Sequence, residues 1–174
     1  MLSPTEKLFA EARAADNRGG KLNQVAVSTI DESVIKEFQG GYRWLSNFAA
    51  VSIATGGYVF PSVENAYMAA KNNDVDWKEY CAAETNPAHV KSESRKVKLI
   101  DNWNVLKLDV MLELLRIKFS DPSMKAKLLA TGNRELQEGN KWGDTFWGVD
   151  LRVSPHKGHN NLGKLLMKVR SELQ

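Results

Sequence analysis

Glu64 and Lys71 are the residues whose spacing first suggests chemistry. They sit in the order Phe60-Pro61-Ser62-Val63-Glu64, with Tyr67, Met68 and Lys71 following. Pro61 ends an apolar run, because proline lacks a backbone donor and disfavours helix at the residue before it. Ser62 is then a good N-cap, its hydroxyl free to accept from a first-turn N–H. Glu64 falls in that first turn, beside the positive end of the helix dipole, a setting that favours the ionised carboxylate. At about 3.6 residues per turn, Glu64, Tyr67, Met68 and Lys71 share one helical face. An acid and an amine projecting together can act as base and nucleophile. The plainer reading is an ordinary Glu and Lys on a surface helix.

Three further polar clusters interrupt the apolar scaffold. In Tyr42-Arg43-Trp44-Leu45-Ser46-Asn47-Phe48, Arg43 and Asn47 offer donors to a phosphate or a ribose hydroxyl. Trp103 heads a long helix after Asp101-Asn102, where a tryptophan alone is more often core than ligand platform. The run from Asn140 to Asp150 holds two tryptophans, two glycines and two aspartates. Aromatic faces such as Trp147 can stack on a planar base, and Asp144 or Asp150 can bond its edge or a sugar hydroxyl. Glycines such as Gly148 let backbone approach a ligand closely. Gly158-His159-Asn160-Asn161-Leu162-Gly163 opens the last helix, and free N–H groups there suit an anionic phosphate. A loop and N-cap with no ligand is the plain alternative.

The elements that must hold these clusters are short strands followed by helices. Residues 1–22 read as a separable leader with a short amphipathic helix broken by Asp16-Asn17-Arg18-Gly19-Gly20. Alternation then predicts strands over 24–28 and 34–38. Val51–Ile53 and Tyr58–Phe60 flank Thr55-Gly56-Gly57 as a hairpin. Helices are expected over 62–72 and 75–83, and from Asn86-Pro87, where an Asx cap precedes proline at the first helical position. The strongest helix spans Trp103 to Phe119, with a stripe of Leu106, Val110, Leu114 and Ile117 widened by Met111 and Leu115. Another starts at Asp121-Pro122 and stops at Thr131-Gly132. Short strands near 135–137 and 147–150 precede a last helix over 161–173 with Leu162, Leu165, Leu166, Val169 and Leu173 on its buried face. The reading is α+β, a small β-sheet packed with several α-helices in one domain over 23–174.

Bulk properties narrow the classes. The chain has 174 residues, 43% apolar and 26% charged, which suits one soluble globular domain. No apolar run approaches the ~20 residues needed to span a bilayer. The N-terminus lacks a signal-peptide core. The lone Cys81 cannot form an internal disulfide and reads as a small packed residue in a cytoplasmic protein. A net charge of +3 is compatible with a phosphorylated ligand but too small for affinity built on many nucleic-acid phosphates. His89, His156 and His159 show no metal-ligand spacing, and no GxxxxGK[ST], GxGxxG or GxSxG occurs.

Taken in order, LSNF (45–48), SVENAYMAAK (62–71), Trp103 with Met111, KF (118–119), LLATG (128–132), WGDTFWGVD (142–150) and NNLGKLLMKVR (160–170) resemble the NADAR domain, the family of the YbiA-like N-glycosidases. The likeness covers about residues 36–173. It implies an enzyme that hydrolyses the bond between a ribose and a base nitrogen. Some members act on ribosylamine phosphates of riboflavin synthesis. Others remove ADP-ribose from guanine, including guanine in DNA, as antitoxins. The implied partners are ADP-ribosylated guanine or a ribosylamine phosphate, modified single-stranded DNA, and a cognate ADP-ribosylating toxin. No membrane and no cofactor is implied. By motif, Glu64 matches the key glutamate. Trp103, Trp147 and one of Asp144 and Asp150 match other active-site positions. Asn47, Asn160 and Asn161 match polar pocket positions. Asn65 stands where many relatives have histidine, and WGDTFWGVD is longer than the usual Trp-Asp…Trp-Gly pattern.

Cleaving an N-glycosidic bond builds positive charge on the sugar. Glu64 would stabilise that charge and activate water. Asp144 or Asp150 would protonate the leaving nitrogen only if burial raised its pKa. Trp103 and Trp147 would hold the base, with Arg43, Asn47, Phe48, Tyr67, Gly148, Asn160 and Asn161 binding the rest. A variant route has Lys71 capture C1 as a Schiff base.

Overall fold

The computed structural model describes residues 32–174. The expected leader over 1–22 and the strand over 24–28 lie outside these residues. The described chain runs β1 (Val34–Ile35), a 3-10 helix (Gly40–Leu45), β2 (Ile53–Thr55), β3 (Tyr58–Phe60), α1 (Val63–Ala69), α2 (Val75–Ala83) and α3 (Pro87–Glu93). It continues with α4 (Trp103–Lys118), α5 (Pro122–Ala130), β4 (Glu135–Leu136), β5 (Gly139–Asn140), β6 (Val149–Asp150) and α6 (Asn161–Glu172).

The expected small sheet is divided into three two-stranded pairs, β1 with β4, β2 with β3 and β5 with β6. The β2–β3 hairpin is antiparallel, with Ile53 opposite Phe60 and Thr55 opposite Tyr58. β1 and β4 are parallel, as are β5 and β6. Gln137 N donates to Ile35 O and Gly139 N to Lys36 O, so β1 guides the chain from β4 into β5. None of these ladders is long enough to stand alone. The helices supply the mass of the core, in which Phe38, Leu45, Ile53, Val63, Met111, Leu115, Phe119 and Leu166 are buried together.

Capping follows the expected chemistry. The side-chain oxygens of Ser62, Asp74, Asn86 and Asp121 accept first-turn N–H groups of α1, α2, α3 and α5. α1 stops at Ala69, earlier than expected, because Lys71 O accepts from Ile100 N at 2.8 Å and Asn72 donates to Lys98 O. The α4 stripe is also displaced. Leu106 is exposed, and the buried residues are Trp103, Met111, Leu112, Leu114, Leu115 and Lys118. Trp103 is buried at the head of α4 but none of residues 104–110 is, so the continuous apolar face lies in the second half. No described helix is long and apolar enough to cross a membrane. Cys81 is buried on α2 and its thiol is pushed up to about 12 by burial, as a packed rather than reactive cysteine requires.

Candidate active site

A cavity of about 700 Å³ opens between α1, α3, the start of α4 and the loop joining β5 to β6. α1 is the element that organises it. Glu64, Tyr67, Met68 and Lys71 all line the cavity, as one helical face requires. Lys71 keeps that face although it lies beyond the helix, because its N–H still bonds Met68 O at 3.2 Å. The Leu45–Phe48 stretch docks on the head of α1 through Asn47 O, which accepts from Glu64 N at 3.0 Å. That bond brings Asn47 and Phe48 to the cavity beside Ser46 and Arg43.

Glu64 is almost wholly buried. Lys91 Nζ on α3 stands 3.4 Å from its Oε1, an ion pair at an angle too poor for a hydrogen bond, so that oxygen has no hydrogen-bonding partner. Burial pushes the Glu64 carboxyl above the ordinary carboxylate range. Lys91 and Lys71 pull it back down, and Asp144 pushes it further up. This corrects the expectation that the helix dipole keeps it readily ionised: in a seven-residue helix whose head is buried, desolvation wins. Burial also lowers the Lys71 amine, with Lys91 adding to the fall and Glu64 opposing it.

Aromatic rings form the walls. Tyr67 lies 5.1 Å from Trp103 and 5.5 Å edge-on from Trp147, and Trp147 meets Phe146 at 5.0 Å. Lys107 Nζ sits 4.1 Å over the Phe146 ring. Trp103 is both core and cavity wall. Trp142 is the exposed ring of the lining. Four cations, Arg43, Lys71, Lys91 and Lys107, face three carboxylates, Glu64, Glu138 and Asp144. Among the described residues no group of three acids, histidines or cysteines could hold a metal ion.

The WGDTFWGVD run separates its two acids. Asp144 reaches the cavity, and its Oδ1 accepts from the N–H groups of Phe146 (3.0 Å) and Trp147 (2.9 Å). That turn points Trp147 inward. Asp150 is not in the lining. It holds Arg152 through bonds of 2.9 and 2.7 Å, and Arg152 draws its carboxyl down to about 2.

Three more expected pocket residues also lie outside the lining, and each has another job. Gly148 packs on Glu138, where a Cβ would sit 2.1 Å from Glu138 O. Asn160 Oδ1 accepts from Glu138 N at 3.0 Å while its Nδ2 donates to Leu136 O at 2.9 Å. Asn161 Nδ2 donates to Phe146 O at 2.9 Å. Three leading N–H groups at the head of α6 are taken by backbone carbonyls and are not offered to a phosphate: Asn160 N bonds Gly148 O, Asn161 N bonds Phe146 O and Leu162 N bonds Trp147 O. Asn65 is structural as well. Its Nδ2 donates to Cys81 O at 2.9 Å and Glu84 O at 2.6 Å, tying α1 to α2.

Three charged lining residues, Lys91, Lys107 and Glu138, escaped the sequence reading. Lys91 sits in an otherwise ordinary polar helix, and no local signal marks it. Glu138 lies in the link between β4 and β5, one residue past the strand expected over 135–137, and no local signal marks it either.

With this geometry in hand, comparison with known proteins is decisive. The NADAR domain matches residues 35–174. The chain belongs to the NADAR domain family. The N-glycosidase YbiA of Escherichia coli (strain K12) is 35% identical over 135 residues, covering 76% of this chain and 82% of that protein. The riboflavin biosynthesis protein VVA0006 of Vibrio vulnificus (strain YJ016) is 35% identical over 136 residues, and the match spans 36% of its length. The NMR structure of the E. coli protein YbiA matches with a TM-score of 0.68 at 34% identity, covering 79% of this chain and 81% of that one. This NADAR chain thus shares both sequence and fold with a named N-glycosidase.

Proposed function

We propose that this NADAR protein is an N-glycoside hydrolase that cleaves the bond between a ribose and a base nitrogen, with ADP-ribosylated guanine, free or in DNA, as substrate. The observation that carries the reading is Glu64: a buried carboxylate whose Oε1 has the Lys91 ion pair but no hydrogen bond, set in a cleft walled by Tyr67, Trp103 and Trp147. A fixed anion beside C1 favours the oxocarbenium-like transition state and can take a proton from water. The rings suit a planar base, and the four cations of the lining suit phosphates. A module that only held ADP-ribose would gain nothing from burying an acid beside the sugar.

A second substrate is favoured by a specific likeness. The Vibrio relative is named for riboflavin biosynthesis, and a phosphorylated ribosylamine offers the same C1–N bond and fewer phosphates. Within either reading Lys71 has two roles. Its amine pairs with a phosphate, or it attacks C1 of the opened sugar as a Schiff base, which its lowered pKa favours. DNA as carrier would have to present an unstacked nucleotide. An antitoxin working against an ADP-ribosylating toxin is the setting that fits the DNA substrate.

The deciding experiment incubates the protein separately with guanine-ADP-ribosylated oligonucleotide and with a ribosylamine phosphate. Mass spectrometry then follows the released base. Base from the first substrate supports the ADP-ribose reading, base from the second moves the protein to ribosylamine cleavage, and none from either removes the hydrolase assignment.

A further inference from the structure

The reaction needs a proton for the departing nitrogen, and neither aspartate of the WGDTFWGVD run is arranged to give it. Asp150 is turned away from the cavity and locked to Arg152. Asp144 commits Oδ1 to two backbone amides, a bond pair that serves to fix the turn and aim Trp147. A third acid remains. Glu138 lines the cavity, and its buried Oε2 has no hydrogen-bond partner among the described residues. No described cation forms an ion pair with it. A carboxyl placed this way is biased toward the neutral acid.

Resting on the N-glycosidase reading above, we propose that Glu138 is the proton donor, delivering its carboxyl proton to the base nitrogen as the bond to ribose C1 breaks. The C1–N electron pair leaves with the nitrogen and takes up that proton. Water adds to C1 and gives its own proton to the Glu64 carboxylate. Exchange with solvent returns one proton to Glu138 and removes one from Glu64, so the sum is hydrolysis.

The fold positions Glu138 from both sides. Its N–H is bonded to Asn160 Oδ1 at 3.0 Å and its carbonyl accepts from Val149 N at 2.9 Å. Gly163 lets α6 come close enough for this, since a Cβ there would lie 2.0 Å from Leu136 O. The charged groups around the carboxyl come from four elements: Asp144 in the β5–β6 loop, Lys91 on α3, Glu64 on α1 and Lys118 on α4. Burial, with Asp144 and Glu64, pushes Glu138 up to about 7 against the pull of Lys91 and Lys118. An acid with that value is protonated in part at neutral pH and well matched to a proton transfer.

The test is Glu138→Gln, assayed on whichever of the two substrates above the wild type cleaves. The expected result is a loss of about 10²–10⁴-fold in kcat, with ADP-ribose affinity held within about twofold. In the wild type, kcat/KM should fall as pH rises through about 7, and that limb should vanish in the variant. Direct titration of the wild type by carbon-13 NMR of labelled glutamate provides a second reading that needs no variant. An undiminished rate in E138Q, loss of ADP-ribose binding along with rate, or a Glu138 carboxyl titrating in the ordinary range each overturns the donor role. A wild type silent on both substrates overturns the glycosidase reading itself, and the donor role with it.

Discussion

Lys91 Nζ stands 3.4 Å from Glu64 Oε1, which makes an α3 cation the immediate neighbour of an α1 carboxyl that burial pushes above the ordinary range. The pair sets the pH at which Glu64 becomes a base. Removing the cation raises the Glu64 pKa further, so Lys91→Met should move the acidic limb of the kcat/KM profile to higher pH. The loss of activity should be largest at low pH and shrink as pH rises. An unshifted acidic limb in K91M would show that the two groups do not communicate. Glu64→Gln keeps shape and removes the charge. It should lower kcat by at least about 10²-fold while ADP-ribose still binds; isothermal titration and base release together check both halves.

Lys71 separates the two chemical routes. Its amine is lowered by burial and lies 5.7 Å from the centre of the Tyr67 ring. If it captures C1, borohydride added during turnover should trap an adduct at Lys71 that intact-mass analysis detects and Lys71→Ala lacks. Turnover with no trapped mass in the wild type would leave direct water attack.

Asn65 tests the frame rather than the chemistry. Its side chain makes bonds of 2.9, 2.6 and 2.6 Å to Cys81 O, Glu84 O and the Ser62 hydroxyl. Asn65→Ala strands the buried Cys81 carbonyl at about 1–3 kcal/mol and the half-buried Glu84 carbonyl at less, which for a domain of this size lowers Tm by several °C, about 2–4 °C per kcal/mol. Calorimetry should show that loss, and an unchanged Tm would contradict the structural assignment.

Lys118 makes a prediction about stability and pH. It is buried under the Leu45 and Ser46 carbonyls, which accept from its Nζ at 3.4 and 2.9 Å. Burial draws its amine down to about 7, from an ordinary value of 10.5. Between those values the unfolded chain binds more protons than the folded one, so this group's contribution to stability is full above 10.5 and is lost as pH falls toward 7. The stability of the wild type relative to Lys118→Met should therefore grow as pH rises from 7 to 10. Chemical denaturation at several pH values measures the difference, and parallel curves would reject it.

Much was readable from local rules. Ser62, Asn86-Pro87 and Asp121-Pro122 announce helix starts because capping and proline geometry act within a few residues, and the Thr55-Gly56-Gly57 turn does the same for its hairpin. The shared face of Glu64, Tyr67 and Lys71 follows from helical period alone. The α4 stripe did not, because which part of a long helix meets the core depends on where its neighbours stop.

Local order in the chain thus determined the elements, the composition class and one face of the cavity. Tertiary structure decided which acids face that cavity. Asp144 and Asp150 are equivalent as text, yet an Asx turn brings one inward and Arg152 holds the other away. Lys91 and Glu138 became neighbours of Glu64 only through packing across α1, α3 and the β4–β5 segment. Charges far apart in sequence change one another's pKa through space and desolvation, and neither distance nor burial is written in any short motif.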